Sequence, residues 1–151
     1  MTDELTLDEA QKAITAGMRA ARRIDQPMNI AVVDSGGHLI AHVRMDGAIK
    51  ASIDISIRKA RTSILMNLPT SALAEATQPG AELYGLELTS GGMVTFGGGI
   101  PVVRNGVTVG AVGVSAGSVD QDVTVAEAVA AKLAKACLLY TSDAADDQST
   151  V

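Results

Sequence analysis

The 151-residue chain holds one cysteine, Cys137, no tryptophan, one phenylalanine, two tyrosines and two histidines. A single cysteine cannot close an internal disulfide, so a disulfide framework is excluded. So few aromatics leave no platform on which bases could stack. The net charge of −5 is opposite in sign to the basic footprint of a nucleic-acid binder. Nucleic acid is therefore set aside as a partner. No run of about 18 apolar residues, the length that reads as a membrane span, occurs anywhere. The start, Met1-Thr2-Asp3-Glu4-Leu5, lacks a basic segment followed by an apolar one, so no signal peptide is visible. A membrane partner is not expected, and the default location is the cytoplasm.

What remains is a globular composition. Hydrophobic residues make up 47% and charged residues 19%, which is outside the disordered range. The length fits one domain, able to bury roughly 70% of its unfolded surface without a staple. With aromatics so rare, the core must come from Ala, Val, Ile, Leu and Met. Fifteen glycines announce tight turns or close backbone approaches.

Thr6-Leu7-Asp8-Glu9 has the form of a capping box, and Ala10, Ile14, Met18 and Ala21 continue as one apolar stripe to about Arg23. Met28–Val33 reads as a short strand, Ser35-Gly36-Gly37 as a hairpin turn, and His38–Arg44 as the partner strand. A helix is predicted from about Ser52 to Met66, and a shorter one from Pro69-Thr70 to Ala76. Residues 81–92 read as loop and Met93–Phe96 as a strand. Gly97-Gly98-Gly99-Ile100-Pro101 reads as a turn or bulge, since three glycines pack a strand interior poorly. Val102-Val103, Asn105-Gly106 and Val107–Ser115 form a hairpin. Ser118-Val119-Asp120-Gln121 is a second capping box, opening a helix to about Ala136. This order predicts an α+β fold with an antiparallel sheet of about five strands flanked by helices. The domain is expected over residues 1–136. Residues 137–151 differ in texture, resemble translated adapter sequence, and are expected to be a non-native or disordered tail.

Two motif matches fail on context. Gly113-Val114-Ser115-Ala116-Gly117 fits a nucleophile elbow, but that arrangement needs a later histidine, and none follows His42. Ser56-Ile57-Arg58-Lys59 fits Ser-x-x-Lys without its Lys-Thr-Gly companion. Gly97-Gly98-Gly99 is a weaker candidate, as backbone amides that could cradle a carboxylate or phosphate.

The stretch from 30 to 62 carries the strongest signal. It places both histidines, His38 and His42, on one strand, followed by a helix bearing Arg58, Lys59 and Arg61. Even spacing puts the two imidazoles on the same face about 13 Å apart, too far for one metal ion. Either could instead be an ordinary turn or strand histidine satisfied by water or backbone.

These pieces together resemble the GlcG/HbpS-like, or haem-degrading, family, a domain also found at the C-terminus of PduO-type proteins. The resemblance rests on Val32-Val33-Asp34 with Gly36-Gly37-His38, Arg44-Met45-Asp46-Gly47, Ser52 with Lys59-Ala60-Arg61-Thr62, Pro69-Thr70, Gly97–Pro101, and Gly110–Ser115 followed by Gln121-Asp122. It departs at Ala116, where the family usually has glycine. The resemblance implies a profilin-like fold with five antiparallel strands and a homo-oligomer built from dimers. It also implies a haem-binding protein. His38 or His42 would then be the axial ligand, with His38 assigned to the iron. Arg44, Arg58, Lys59 or Arg61 would pair with propionates, and Phe96 with Gly97, Gly98 and Gly99 would line the cofactor. An alternative is an enzyme for a small carboxylate, a hydrolase or dehalogenase in organic-acid catabolism. There Arg44 and Lys59 would clamp the acid, and Asp34 or His38 would act as general base. A third is an oligomeric structural protein whose basic residues satisfy neighbouring acids.

Overall fold

The computed structural model describes residues 3–142, with side-chain surroundings through Ala134. The element order is α1 (Leu7–Arg23), β1 (Asn29–Asp34), β2 (Leu39–Arg44), α2 (Ala51–Met66), β3 (Gly99–Arg104), β4 (Val107–Ser115) and α3 (Val119–Ser142). Short 3-10 turns lie at Thr70–Leu73 and Leu86–Leu88. The four strands form one antiparallel sheet in the order β2-β1-β4-β3. The α+β class therefore holds. Helix α3 continues beyond the expected Ala136 to Ser142, and the remainder of the expected tail, 143–151, lies outside the described residues. No helix among the described residues is long and apolar enough to cross a membrane.

Both capping boxes form. Thr6 and Glu9 exchange side-chain and backbone bonds at the start of α1. Ser118 and Gln121 do the same at α3, at 2.9 and 3.2 Å. The Asn105-Gly106 turn takes positive φ at both residues, as a two-residue hairpin demands.

The two sheet faces are packed differently. On one, Ile30, Val32, Val112 and Val114 meet Ala13 and Ile14 of α1 and Val125, Val129 and Leu133 of α3 in an aliphatic core. On the other lies α2, over a thin cluster of Ala31, Val33, Ala60 and Ala111. Helix α2 can sit this low because β4 offers Gly113, where a Cβ would come within 2.0 Å of the Ser56 carbonyl oxygen. Its buried side chains are mostly polar: Ser52, Ser56, Lys59, Thr62 and Ser63.

Four strands stand where five were expected. Met93–Phe96 is not one of them: the Met93 amide donates to the Glu87 carbonyl and the Val94 amide to Thr62 Oγ1 of α2. The segment is bonded to a turn and a helix side chain, so it joins no ladder. In the other direction, Gly99, Ile100 and Pro101 belong to β3 rather than to a turn. β3 is an edge strand, where proline is tolerated. The Gly99 amide turns away from β4, to Thr70 Oγ1 at 2.9 Å. Pro101, two residues on, faces the same outer side with no N–H to offer.

Candidate functional site

Asp34 and His38 close the β1–β2 hairpin. Asp34 Oδ1 accepts the amides of Gly36 and His38, both at 2.9 Å, which fixes the turn as an Asx-type loop. The His38 ring is exposed and lies beside Gly36, and among the described residues it has no hydrogen-bond partner. His42 is half-buried, with Nε2 3.2 Å from Ser56 Oγ. Burial holds its imidazole below the usual histidine range.

The two histidines do not share a face. The β1–β2 register shifts between Val32 and Val33, so Val32 pairs with Ala41 and Val33 with Leu39. Ile40 is the extra residue of a β-bulge. Ile40 and Ala41, adjacent in sequence, consequently pack against the same aliphatic core. One inserted residue reverses the parity: His42 stays on the α2 face and His38 passes to the other.

Lys59 is not available as a clamp. It is fully buried, with Nζ 2.9 Å from the Val114 carbonyl and 2.9 Å from Asp122 Oδ2. The Phe96 ring centroid lies 5.0 Å away, a cation–π distance. Burial pushes the Lys59 ammonium down and the Asp122 carboxyl up from their ordinary ranges, and their mutual attraction opposes both shifts. Gly98 is glycine for this reason: at φ +127° a Cβ would stand 2.6 Å from Lys59 Nζ. At the expected cradle Gly98 and Gly99 pack against Lys59, Gly97 packs against Val119 and Val123, and the Gly99 amide is already taken by Thr70. Arg58 and Arg61 are also engaged. They donate to the carbonyls of Gly91 and Ser90 and pin the 80–92 loop to α2.

Arg44 is exposed at the end of edge strand β2 and makes no ion pair among the described residues. Three strand spacings, about 14 Å, separate its strand from β3. Six residue steps, roughly 20 Å, separate it from His38. The single convergent pocket anticipated from the sequence is therefore not formed within one protomer. A cleft of about 530 Å³ lies between Pro69, Ser71, Gly98, Gly99 and Ile100 on one side and Val123, Glu127, Ala130 and Ala131 of α3 on the other, so Gly98 and Gly99 border it as expected of a lining. No histidine lines it.

Sequence reasoning missed three groups. Asp122 holds Lys59 and also accepts the amides of Ala116 and Gly117. Arg104 is buried against Glu9 Oε2 at 2.7 Å and the Leu133 carbonyl. Asn29 is fully buried, donating Nδ2 to the Ile49 carbonyl at 3.2 Å while Oδ1 accepts nothing. Asp122 stood in the motif block at 121–122 without a role, while Arg104 and Asn29 carry no local signature because their partners lie on other elements.

The model of the family described as haem degrading protein HbpS-like matches residues 5–131. An uncharacterized 15.0 kDa protein from the dhaT-dhaS intergenic region of Citrobacter freundii is 46% identical over 124 residues. The alignment covers 82% of this chain and 87% of that protein. Corrinoid adenosyltransferase PduO of the same organism is 38% identical over 130 residues, which span 85% of this chain but only 39% of PduO. The solved PduOC–haem complex superposes with a TM-score of 0.81 at 35% identity, covering 85% of this chain and 94% of that one. With a family match across most of its length and a near full-length relative at this identity, the chain belongs to the HbpS-like family.

Proposed function

We propose that this protein binds haem, with the His38 imidazole as iron ligand. The observation that carries this is the state of that ring: exposed, on a turn made rigid by Asp34, and without a hydrogen-bond partner among the described residues. An imidazole nitrogen with an open lone pair is an ordinary axial donor for haem iron. His42 is the poorer donor, because its Nε2 already meets Ser56. The family description and the haem-bound PduOC relative support the same reading.

The donor fits haem; the enclosure does not come from the same residues. Lys59 is committed to Asp122 and the Val114 carbonyl, Phe96 and the cleft-lining Gly98 and Gly99 stand on another part of the surface, and Arg44 lies roughly 20 Å along β2 from His38. A wall for the exposed face is supplied in this reading by a second subunit of a homo-oligomer built from dimers, in the cytoplasm. Bound haem would supply an iron centre for ligand exchange or electron transfer. The chain's own part is to present His38 at a fixed angle from a stiff hairpin. The carboxylate enzyme loses Lys59 of its clamp to the pair with Asp122 and Asp34 to the hairpin turn, and its remaining members, Arg44 and His38, stand at opposite ends of β2.

Titrating purified protein with hemin tests the proposal. A Soret shift saturating at one haem per subunit, abolished in His38→Ala and retained in His42→Ala, is expected. A shift that survives His38→Ala would remove the assigned ligand, and no shift at all would remove haem binding.

A further inference from the structure

β2 forms one rim of the sheet. In an antiparallel ladder, register pairs alternate between those that exchange backbone hydrogen bonds and those that do not. The Met45 amide donates to the Met28 carbonyl at 3.0 Å. The alternation then makes Ile30–Val43 and Val32–Ala41 the bonded pairs, and Asn29–Arg44 and Ala31–His42 the others. The amides and carbonyls of His42 and Arg44 therefore point out of the sheet, with no partner among the described residues. The opposite rim is closed: the Gly99 amide is held by Thr70, and Pro101 has none.

The side chains at the β2 rim also lack partners. On the α2 face, Ser56 Oγ gives its hydrogen to the Ile53 carbonyl at 2.9 Å, so it accepts from His42 Nε2–H at 3.2 Å. That tautomer leaves His42 Nδ1 with an open lone pair, and burial favours the neutral ring. Arg44, two residues on, projects from the same face and carries donors without an acceptor among the described residues. On the α1 face, Ala41, Val43 and Met45 pack against the core but are only partly buried. Helix α2 lies over β1 and β4, so it does not overhang the rim.

We propose that β2 pairs antiparallel with β2 of a second copy about a two-fold axis at Val43, each Arg44 donating to the partner's His42. The inference rests on the reading above that the protein is built from dimers, and not on haem binding. An axis at Arg44 would set two guanidinium groups against each other. An axis at His42 would bring two imidazoles together and place Arg44 opposite Ile40, in the bulge. An axis at Val43 places 42 opposite 44 in both directions. Both residues aim their backbone outward, so each such pair exchanges amide and carbonyl in full. On one face a cationic donor meets a neutral acceptor twice, in the manner of an isologous contact. On the other face Val43 meets the partner's Val43 and Ala41 meets the partner's Met45, as directly opposed side chains do. That contact completes the burial of the half-covered aliphatic strip. The same register carries the partner's Asp46-Gly47 turn toward the His38 end of β2.

The test is equilibrium sedimentation with disulfide trapping, using the full chain and, for the trapping, a Cys137→Ser background. Val43→Cys sets the two copies of position 43 about 4.5 Å apart at Cα, inside the range a disulfide spans. Oxidation is expected to link this variant in pairs. Arg44→Cys stands two residues out of register and is expected to stay unlinked. Arg44→Gln should weaken the pairing about tenfold or more. Arg44→Pro should abolish it, since proline removes a donor on the outer rim and none toward β1. Should Arg44→Pro fail to fold, the two trapping variants and Arg44→Gln still decide the matter. A monomer at every concentration would overturn this contact and the dimer reading together. Assembly unchanged in Arg44→Pro, an unlinked Val43→Cys, or equal linking at positions 43 and 44 would overturn the contact alone. The hemin titration is read separately: its failure removes haem binding and leaves this contact standing.

Discussion

Lys59 Nζ and Asp122 Oδ2 lie 2.9 Å apart with almost no solvent contact at either side chain. The pair joins α2 to the start of α3 and ties in the end of β4 through the Val114 carbonyl. Removing one member of a buried pair leaves the other charged and uncompensated. Lys59→Met should therefore lower stability by about 3–5 kcal/mol, read from urea unfolding. Asp122→Asn should cost less, since an amide oxygen can still accept from Ala116 and Gly117. The double variant should cost less than the sum, because the two sites are coupled. A Lys59→Met protein as stable as wild type would show that the pair contributes nothing to the fold.

Gly113 sets the height of α2 over the sheet. An added Cβ would stand 2.0 Å from the Ser56 carbonyl oxygen and 2.6 Å from the Ala60 nitrogen, both rigid helix backbone. Gly113→Ala should cost about 3 kcal/mol or more, at or above the upper end of overpacking penalties. Gly106→Ala is the control for turn glycine alone, with positive φ but no atom near its missing Cβ. It should cost less.

Ala116 occupies φ +148°, a region in which a Cβ is strained. Ala116→Gly should raise stability by about 1 kcal/mol, the relief of strain exceeding the added freedom of the unfolded chain. A lower melting temperature for this variant would contradict the strain.

Burial depresses the His42 imidazole below its ordinary 6.5. In the unfolded chain the ring gains its proton near 6.5, while the folded protein resists until a lower pH. The unfolded state then binds more protons, so stability falls as pH drops from 6.5 through the folded value. Denaturation midpoints measured from pH 7.5 to 5 should show this slope, and His42→Gln should flatten it. A slope unchanged in His42→Gln would place the effect on another group.

What the sequence made legible was local. The two capping boxes, the glycine hairpin at 35–37 and the Asn105-Gly106 turn each depend on residues within a few positions, and all four formed. The site was not legible because its parts meet across distance. Lys59 and Asp122 are 63 residues apart, and nothing near Lys59 distinguishes a buried ion pair from a ligand clamp. The bulge at Ile40 has no glycine to mark it, yet that one residue moved His38 to the other side of the sheet from His42. Met93–Phe96 has strand composition, but its amides found a helix hydroxyl and a turn carbonyl before they could find a neighbouring strand. The family resemblance compensated where local rules ended, since it depends on the order of blocks rather than on their contacts.

The proline at position 101 has a consequence for how copies of the protein could associate. Backbone pairing between sheets needs donors on both rims, and the rim formed by β3 lacks one at its centre. Two molecules could join β2 to β2, but the doubled sheet would then end in Pro101 on either flank. Strand addition is thereby disfavoured at the β3 rim, the usual effect of proline on an edge strand.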